Sequence, residues 1–266
     1  MRLQDRVAIV VGAGQSPGEG IGNGRATALT FAREGARVLC VDYNLASAQE
    51  TVDLIAAKGG TSVAFKADVT KNADIKAMVA DAHGRWGSVD ILHNNVGVSL
   101  SGGDAELLDI TEEAFDRCVA INLKSCILAA KHAIPIMRAQ QRGSIINISS
   151  MAAITTYPYV AYKATKSAMI AFTEQLAYQN AQYGIRANVI LPGLMNTPMA
   201  VDTRAREFKK SRAEVEAERD SKVPLRHKMG TGWDVANAAL FLASDEANFV
   251  TGVTLPVDGG ASVRRG

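Results

Sequence analysis

The chain has 266 residues, enough to bury a substantial core, and its 47% hydrophobic and 21% charged residues are those of an ordinary globular protein. No apolar run approaches the roughly 20 residues a membrane helix needs, and a net charge of +2 without a basic stripe argues against a nucleic-acid partner. Cys40, Cys118 and Cys126 are an odd set in apolar surroundings, which points to reduced core thiols, and no metal-type spacing of Cys or His is present.

The opening MRLQDRVAIVVGAG carries a short apolar run that stops at glycines without a small-residue cleavage site. It reads as a first strand rather than a leader, and a cytoplasmic protein is expected. Next comes GAGQSPGEGIGNGRATAL, where Gly12, Gly14, Gly18, Gly20, Gly22 and Gly24 lead into a helix. Glycine allows backbone to approach a pyrophosphate closely, and a helix N-terminus behind it offers free N–H groups and partial positive charge. Strand before and helix after favour a dinucleotide loop over a flexible turn.

ARVLCVD is the second strand, and it ends at Asp42. A carboxylate there can accept hydrogen bonds from both ribose hydroxyls of an adenosine and would repel a 2′-phosphate, so NAD is expected over NADP. The alternative, a cap for the following helix, is disfavoured because residues 43–45 intervene before the helical pattern. LASAQETVDLIAAKG is a helix, SVAFKAD a strand, ADIKAMVADAHGRWG a helix and VDILHNNVG a strand. This alternation predicts right-handed crossovers and a parallel sheet covered on both faces.

A long helical stretch is expected at about 111–139, followed by GSIINIS as a strand, YVAYKATKSAMIAFTEQLAYQNAQYG as a helix closed by Gly184, IRANVILPG as a sixth strand and VTLPVDGG as a seventh. The fold expected is α/β, a single domain over residues 1–266 with a Rossmann-like, doubly wound parallel sheet of about seven strands. Residues 195–229, densely charged and placed after a strand's carboxyl end, read either as a solvated surface helix or as a substrate lid.

In "YPYVAYKATK" the spacing Tyr-x-x-x-Lys occurs twice, as Tyr159 with Lys163 and as Tyr162 with Lys166. Residues four apart share a helix face, so spacing alone does not separate the pairs. From end to end the chain resembles the short-chain dehydrogenase/reductases. The matching motifs are the glycine loop, Asp68-Val69, Asn94-Asn95-Val96-Gly97, Asn122 in INLKS, INISS at 146–150, YKATK at 162–166, LPG at 191–193 with Thr197, and VDGG at 257–260. There are two departures. The glycine loop is six residues longer than the family's, and Val96 stands where alanine is common.

The resemblance implies a catalytic set of Asn122, Ser150, Tyr162 and Lys166, with Ser149 a rival for Ser150. Pro158, from its preference for a helix start, is expected to place Tyr159 at the first turn of the helix, near N1. Cofactor contacts fall to Gly12, Gly14, Gly22, Asn23, Gly24, Asp42, Asp68, Val69, Asn95, Gly97, Tyr162, Lys166 and Thr197, with Gly20-Ile21-Gly22 the other pyrophosphate candidate. Tyr162 would be the general acid/base, with Lys166 and the nicotinamide cation favouring phenolate. Ser150 would bond the substrate oxygen, and Asn122 would hold a proton-relay water. Asn94 would tie strands together.

The expectation is an NAD(H)-dependent enzyme interconverting a small-molecule secondary alcohol and ketone, without a metal, and by resemblance a homotetramer. An NADPH-dependent 3-oxoacyl-carrier-protein reductase and a non-catalytic dinucleotide-binding regulator are the alternatives. Met151, Ile154, Leu194 and Met195 suggest an apolar wall but leave the substrate open.

Overall fold

The computed structural model describes residues 1–263. Strands β1 (Val7–Val11), β2 (Arg37–Asp42) and β3 (Thr61–Lys66) alternate with helices α1 (Asn23–Arg33), α2 (Leu45–Ala56) and α3 (Asn72–Trp86). Then follow β4 (Ile91–Asn94), helices α4 (Glu112–Val119) and α5 (Ser125–Gln140), β5 (Gly143–Ile148), α6 (Val160–Asn180) and β6 (Ile185–Pro192). The chain continues through β7 (Met195–Asn196), α7 (Asp202–Glu207), α8 (Arg212–Asp220), β8 (Gly230–Thr231), α9 (Gly232–Ala243) and β9 (Thr254–Val257).

Seven strands form one parallel sheet in the order β3-β2-β1-β4-β5-β6-β9, as the alternation predicts. β1 is buried at all five positions, so its unbroken run of Val, Ala and Ile suits a central strand covered on both faces, whereas the edge strand β3 is mostly half-exposed. One apolar layer packs α1 and α9 on the sheet through residues such as Ala28, Phe31, Val235 and Leu240. The other packs α3, α5 and α6 through Ile75, Met78, Met137 and Leu176. The strand order reverses between β1 and β4, and the crevice beyond their carboxyl ends is where such sheets bind ligands. β7 and β8 are two-residue strands that pair with each other and that no periodicity signals.

The stretch expected as one helix at 111–139 is interrupted. A π-helical turn, Ala120–Lys124, separates α4 from α5, and Asn122 lies within it, fully buried. Such a bulge inserts a residue into the helical ladder and redirects a side chain, which residue spacing does not reveal. Among the described residues, Glu112–Gln140 is the one stretch long and apolar enough to cross a membrane. It lies against the sheet, with Ala129, Ala130, Ala133 and Met137 in the core and Phe115 and Ile127 exposed.

All three cysteines are free and buried, and burial pushes the Cys40 thiol up to about 12 and the Cys118 thiol up to about 11. His93 on β4 is wholly buried, edge-on to Phe31 at 6.0 Å between ring centroids, with neither ring nitrogen hydrogen-bonded. Burial drives its pKa from 6.5 down to about 3. The unfolded chain therefore takes up a proton as pH falls from 6.5 while the folded chain does not, and stability present above pH 6.5 is lost toward pH 3 at about 1.4 kcal/mol per pH unit. His93→Leu is expected to remove this share. Its urea-unfolding free energy relative to wild type should improve by about 2.5 kcal/mol between pH 6.5 and 4.5, and a constant difference would refute the buried neutral imidazole.

Candidate active site

The crevice is built on its left from β1, its glycine loop and α1. Gly12 adopts φ 81°, and a side chain on Gly24 would stand 1.8 Å from the Gly12 carbonyl oxygen, so α1 can enter against β1 only with glycine there. Asn95 Nδ2 donates to the same Gly12 oxygen at 3.1 Å and joins the loop after β4 to it. Gly22 caps α1 without a side-chain bond, the first turn holds no acidic residue, and Asn23 Oδ1 is buried without a partner. The uncapped first-turn amides of Asn23 and Gly24, with glycines on either side of Asn23, fit a pyrophosphate.

Asp42 ends β2, and its carboxylate accepts from Gly14 N at 3.0 Å and Asn44 N at 2.9 Å. The cap of α2 is Asn44, not Asp42, so the capping alternative for this carboxylate fails. A side chain on Gly14 would collide with Asp42 at 2.7 Å, so the loop backbone comes this close to the carboxylate only with glycine there. Asp68, its carboxyl held below the usual range chiefly by the Thr70 hydroxyl, lies with Val69 just beyond β3, and Asp68 and Tyr43 line one shallow pocket. Thr197 is buried at the start of the 195–229 segment, where its hydroxyl accepts from Ala200 N at 3.3 Å. Asn94 Nδ2 donates to Asn147 Oδ1 at 2.8 Å, a link between β4 and β5.

The extra length of the glycine loop has a structural use. Gln15 bridges it, accepting from Gly22 N at 2.9 Å and donating to the Gly20 carbonyl at 3.2 Å. Its outer turn rests on α7 and α8. Gly18 packs so closely on Asp202 that a side chain there would stand 2.4 Å from the carboxyl carbon, and Arg212 joins Asp202, Glu19 and Glu216. Part of the charge in residues 195–229 thus forms ion pairs within the segment, and Arg212 with Glu19 ties it to the loop.

On the right of the crevice, α6 carries both tyrosines. Tyr159 is its N-cap, with extended φ −100° and ψ 145°, rather than a first-turn residue, and the helix begins at Val160. The ring of Tyr159 stands edge-on to Tyr157. Lys163 turns outward, donating to the carbonyls of Ala152 and Thr155. Tyr162 points into the crevice beside the Ser150 hydroxyl, and Lys166 Nζ lies 5.7 Å from its ring centroid. Lys166 is 2% exposed and donates to the Ile148 carbonyl at 2.7 Å, and a side chain on Gly97 would meet its Nζ at 3.1 Å and Asn122 Oδ1 at 3.6 Å.

The two serines are equally distinct. Ser149 is buried and spends its hydroxyl on the Lys166 carbonyl at 2.7 Å, whereas Ser150 accepts from Ala152 N at 3.1 Å and flanks the Tyr162 phenol. Asn122 accepts from Val98 N at 2.8 Å and donates to Val98 O at 2.9 Å and to Thr165 Oγ1 at 3.1 Å, so it clamps the Gly97 loop to α6. The structure thus brings Asn122, Ser150, Tyr162, Lys166 and Gly97 together at the carboxyl ends of β4 and β5.

Burial raises the Tyr162 pKa above its ordinary value, and the Ser150 hydroxyl only partly offsets this. Burial also lowers Lys166 from 10.5 to about 8. Desolvation acts against the charged form of each group.

Four residues beyond the sequence-derived set shape the site. Asp104 accepts from Ala161 N at 2.9 Å and Tyr162 N at 3.0 Å and so satisfies the first amides of α6 from a distant loop. Tyr157 packs against Tyr162 with ring centroids 5.4 Å apart and planes tilted by 41°, and it shares a 3.1 Å hydrogen bond with Ser99. The charge of Arg204, on α7, lowers the pKa of both phenols, and the Tyr157 phenol raises that of Arg219, on α8. Only the aromatic repeat at 157–162 hints at any of them in the sequence. Among the described residues no His, Cys, Asp and Glu cluster could hold a metal.

The chain matches the family model described as enoyl-(acyl carrier protein) reductase over residues 17–262. It is 37% identical over 263 residues to 2,5-dichloro-2,5-cyclohexadiene-1,4-diol dehydrogenase of Sphingobium indicum, covering 98% of each chain. It is also 36% identical over 260 residues to an uncharacterised oxidoreductase of Bacillus subtilis, covering 97% of this chain and 92% of that one. A crystal structure titled as a short-chain dehydrogenase/reductase from Burkholderia xenovorans superposes with a TM-score of 0.90 at 42% identity, over 100% of this chain and 99% of that one.

Proposed function

The chain belongs to the short-chain dehydrogenase/reductase family and is an oxidoreductase, and on that premise we propose that it interconverts a secondary alcohol and a ketone with NAD(H). The observation that carries this reading is the meeting of the Ser150 hydroxyl, the Tyr162 phenol and the Lys166 ammonium beside Gly97, at the crevice mouth. The family uses a nicotinamide dinucleotide, which, when bound, supplies the hydride acceptor for oxidation or donor for reduction.

Gly12, Gly14, Gly22, Asn23, Gly24 and Asn95 would hold the pyrophosphate end, Asp42 the adenosine ribose, and Asp68 and Val69 the adenine. Gly97, Lys166 and Thr197 would hold the nicotinamide end. Ser150 orients the substrate oxygen by its hydroxyl. Tyr162 removes or returns the proton at that oxygen through its phenol, and Lys166 holds positive charge next to the ring while the phenolate exists. Asn122 fixes the loop that brings Gly97 to Lys166. Residues 195–229 act as the substrate lid, seated through Arg212 on the glycine loop. The exposed Phe115 and Ile127 on α4 and α5 support burial of that face between copies, in keeping with a homotetramer.

NAD preference follows from the position of Asp42 against Gly14, where a 2′-phosphate would meet a carboxylate. Wild type is expected to use NADH well over NADPH in initial rates, and Asp42→Ala to shrink that ratio about 100-fold, the worth of two charge-assisted hydrogen bonds and one repulsion. A wild type that favours NADPH would reverse this assignment and return the carrier-protein reductase reading.

A further inference from the structure

We propose that Asp104 is the positioning residue of the Tyr162 phenol, holding the start of α6 by its backbone and the adjacent Tyr157 ring by way of Ser99. This rests on the dehydrogenase reading above, in which Tyr162 is the acid/base, and adds the group that fixes where that phenol stands.

Helix α6 has no cap of its own. Its N-cap is Tyr159, whose side chain makes no capping bond, and its first turn holds no acidic residue. The first amides of a helix need partners, and here they find them in one short segment after β4. Val160 N donates to the Ala105 carbonyl at 3.1 Å, Ala161 N to Asp104 Oδ1 at 2.9 Å and Tyr162 N to Asp104 Oδ2 at 3.0 Å. Both oxygens of one carboxylate therefore grip the helix start, and one of them grips Tyr162 itself. Asp104 is 4% exposed, and among the described residues its side-chain donors are these amides and the Ser99 hydroxyl, with none from Lys or Arg. A buried carboxylate needs strong donors, and the positive end of a helix supplies them.

The second route runs through side chains. Ser99 is also buried, and its hydroxyl donates to Asp104 Oδ2 at 3.3 Å. A hydroxyl has one hydrogen to give, so the 3.1 Å bond between Ser99 and Tyr157 is donated by the Tyr157 phenol. That bond sets the Tyr157 ring in its place against Tyr162, 5.4 Å between centroids. The loop that carries Ser99 and Asp104 is closed on itself, with Gly102 N and Asp104 N donating to the Ser99 carbonyl at 2.8 and 3.2 Å. Asn122 fastens its other end by two bonds to Val98. A displacement on the order of 1 Å is enough to disable a positioned acid or base, and Asp104 opposes such a displacement at the backbone of Tyr162 and at the ring beside it.

The same carboxylate also bears on ionisation. Burial is the largest influence on the Tyr162 phenol and raises its pKa, the Ser150 hydroxyl and the Arg204 charge lower it, and Tyr157 and Asp104 raise it. Lys166 stands one turn along the same helix. Asp104 thus fixes the phenol in place and mildly opposes its charged form, so that its removal moves turnover and acidity in opposite senses.

The test uses the full chain with Asp104→Asn, Asp104→Ala and Ser99→Ala. Wild type is run on a panel of secondary alcohols with NAD⁺ and with NADP⁺, and the alcohol oxidised fastest is repeated with deuterium at its carbinol carbon. Asparagine offers one oxygen to the two amides and alanine none, so kcat should fall about 10- to 100-fold in Asp104→Asn, further in Asp104→Ala, and about threefold in Ser99→Ala, which loses only the Tyr157 route. KM and the NADH-induced rise in melting temperature should stay near those of wild type, while the deuterium effect on kcat grows because the chemical step has slowed. Ultraviolet titration of the cofactor-free chain, with Tyr162→Phe as the difference, should find the Tyr162 phenol ionising at lower pH in Asp104→Asn than in wild type. Asp104→Asn keeps the shape of the side chain and carries the comparison where Asp104→Ala does not fold. Turnover that falls only with the folded fraction, leaving the deuterium effect unchanged, or a Tyr162 phenol whose titration does not move, would overturn the positioning role. A phenol that moves in Asp104→Asn while wild type oxidises no alcohol of the panel would keep that role and defeat the dehydrogenase reading instead.

Discussion

Replacing Tyr162 with phenylalanine is expected to lower kcat/KM by about 10³-fold or more, within the range for loss of a positioned acid or base. The ring would still pack against Tyr157, and the Asp104 bonds are made by the backbone of α6, so folding and cofactor binding should survive. Tyr159→Phe is the matched control, because Tyr159 caps the helix by its backbone and stands edge-on to Tyr157. That variant should stay within about threefold of wild type. The reverse outcome, an inactive Tyr159→Phe beside an active Tyr162→Phe, would transfer the acid/base role to Tyr159. Ultraviolet titration of the cofactor-free chain adds a separate readout. Because burial raises the Tyr162 pKa, the phenol missing from Tyr162→Phe should be one that ionises above the ordinary tyrosine value. A nicotinamide ring bound in the same crevice would, in its oxidised form, add positive charge that favours the phenolate.

Lys166→Met is expected to separate activity from stability. Folded Lys166 binds its proton less tightly than the unfolded chain, with a pKa of about 8 against 10.5. Below pH 8 the buried charge therefore costs about 3 kcal/mol, and the cost is relieved as pH climbs from 8 toward 10.5. Methionine fills similar volume without charge, so the variant should gain about 2 kcal/mol at pH 7 after loss of the bond to the Ile148 carbonyl. In a chain of this size that corresponds to a melting temperature higher by about 4–8 °C, while kcat/KM should fall by about 10²-fold or more because nothing opposes the desolvation of the phenolate. A less stable Lys166→Met would show that the ammonium holds the core together, and undiminished turnover would remove it from the site.

Much of this protein was legible without coordinates because its signals are local. Alternating apolar runs and helical periods record the sheet and its two helical layers, and glycines next to a strand end record a backbone that must come close to something. The motifs at 94–97, 147–150 and 162–166 lie at the ends of β4 and β5 and in the first turns of α6, so their order along the chain fixes their convergence once the sheet is parallel. Tertiary structure alone decided what those residues face. Lys163 and Lys166 have the same spacing to a tyrosine, but one turns to the 152–155 carbonyls and the other into the core. Adjacent serines alternate in direction, one to the α6 backbone and one to the phenol. Asp104, Arg204 and Arg219 come from segments far apart in sequence, and the π-helical turn at Asn122 needs an inserted residue that no period betrays. The protonation of Tyr162 and Lys166 is least local of all, since burial is a sum over every atom that excludes water from them. Spacing along a chain determines which groups can share a face, whereas desolvation and long-range charge depend on distances that exist only after folding.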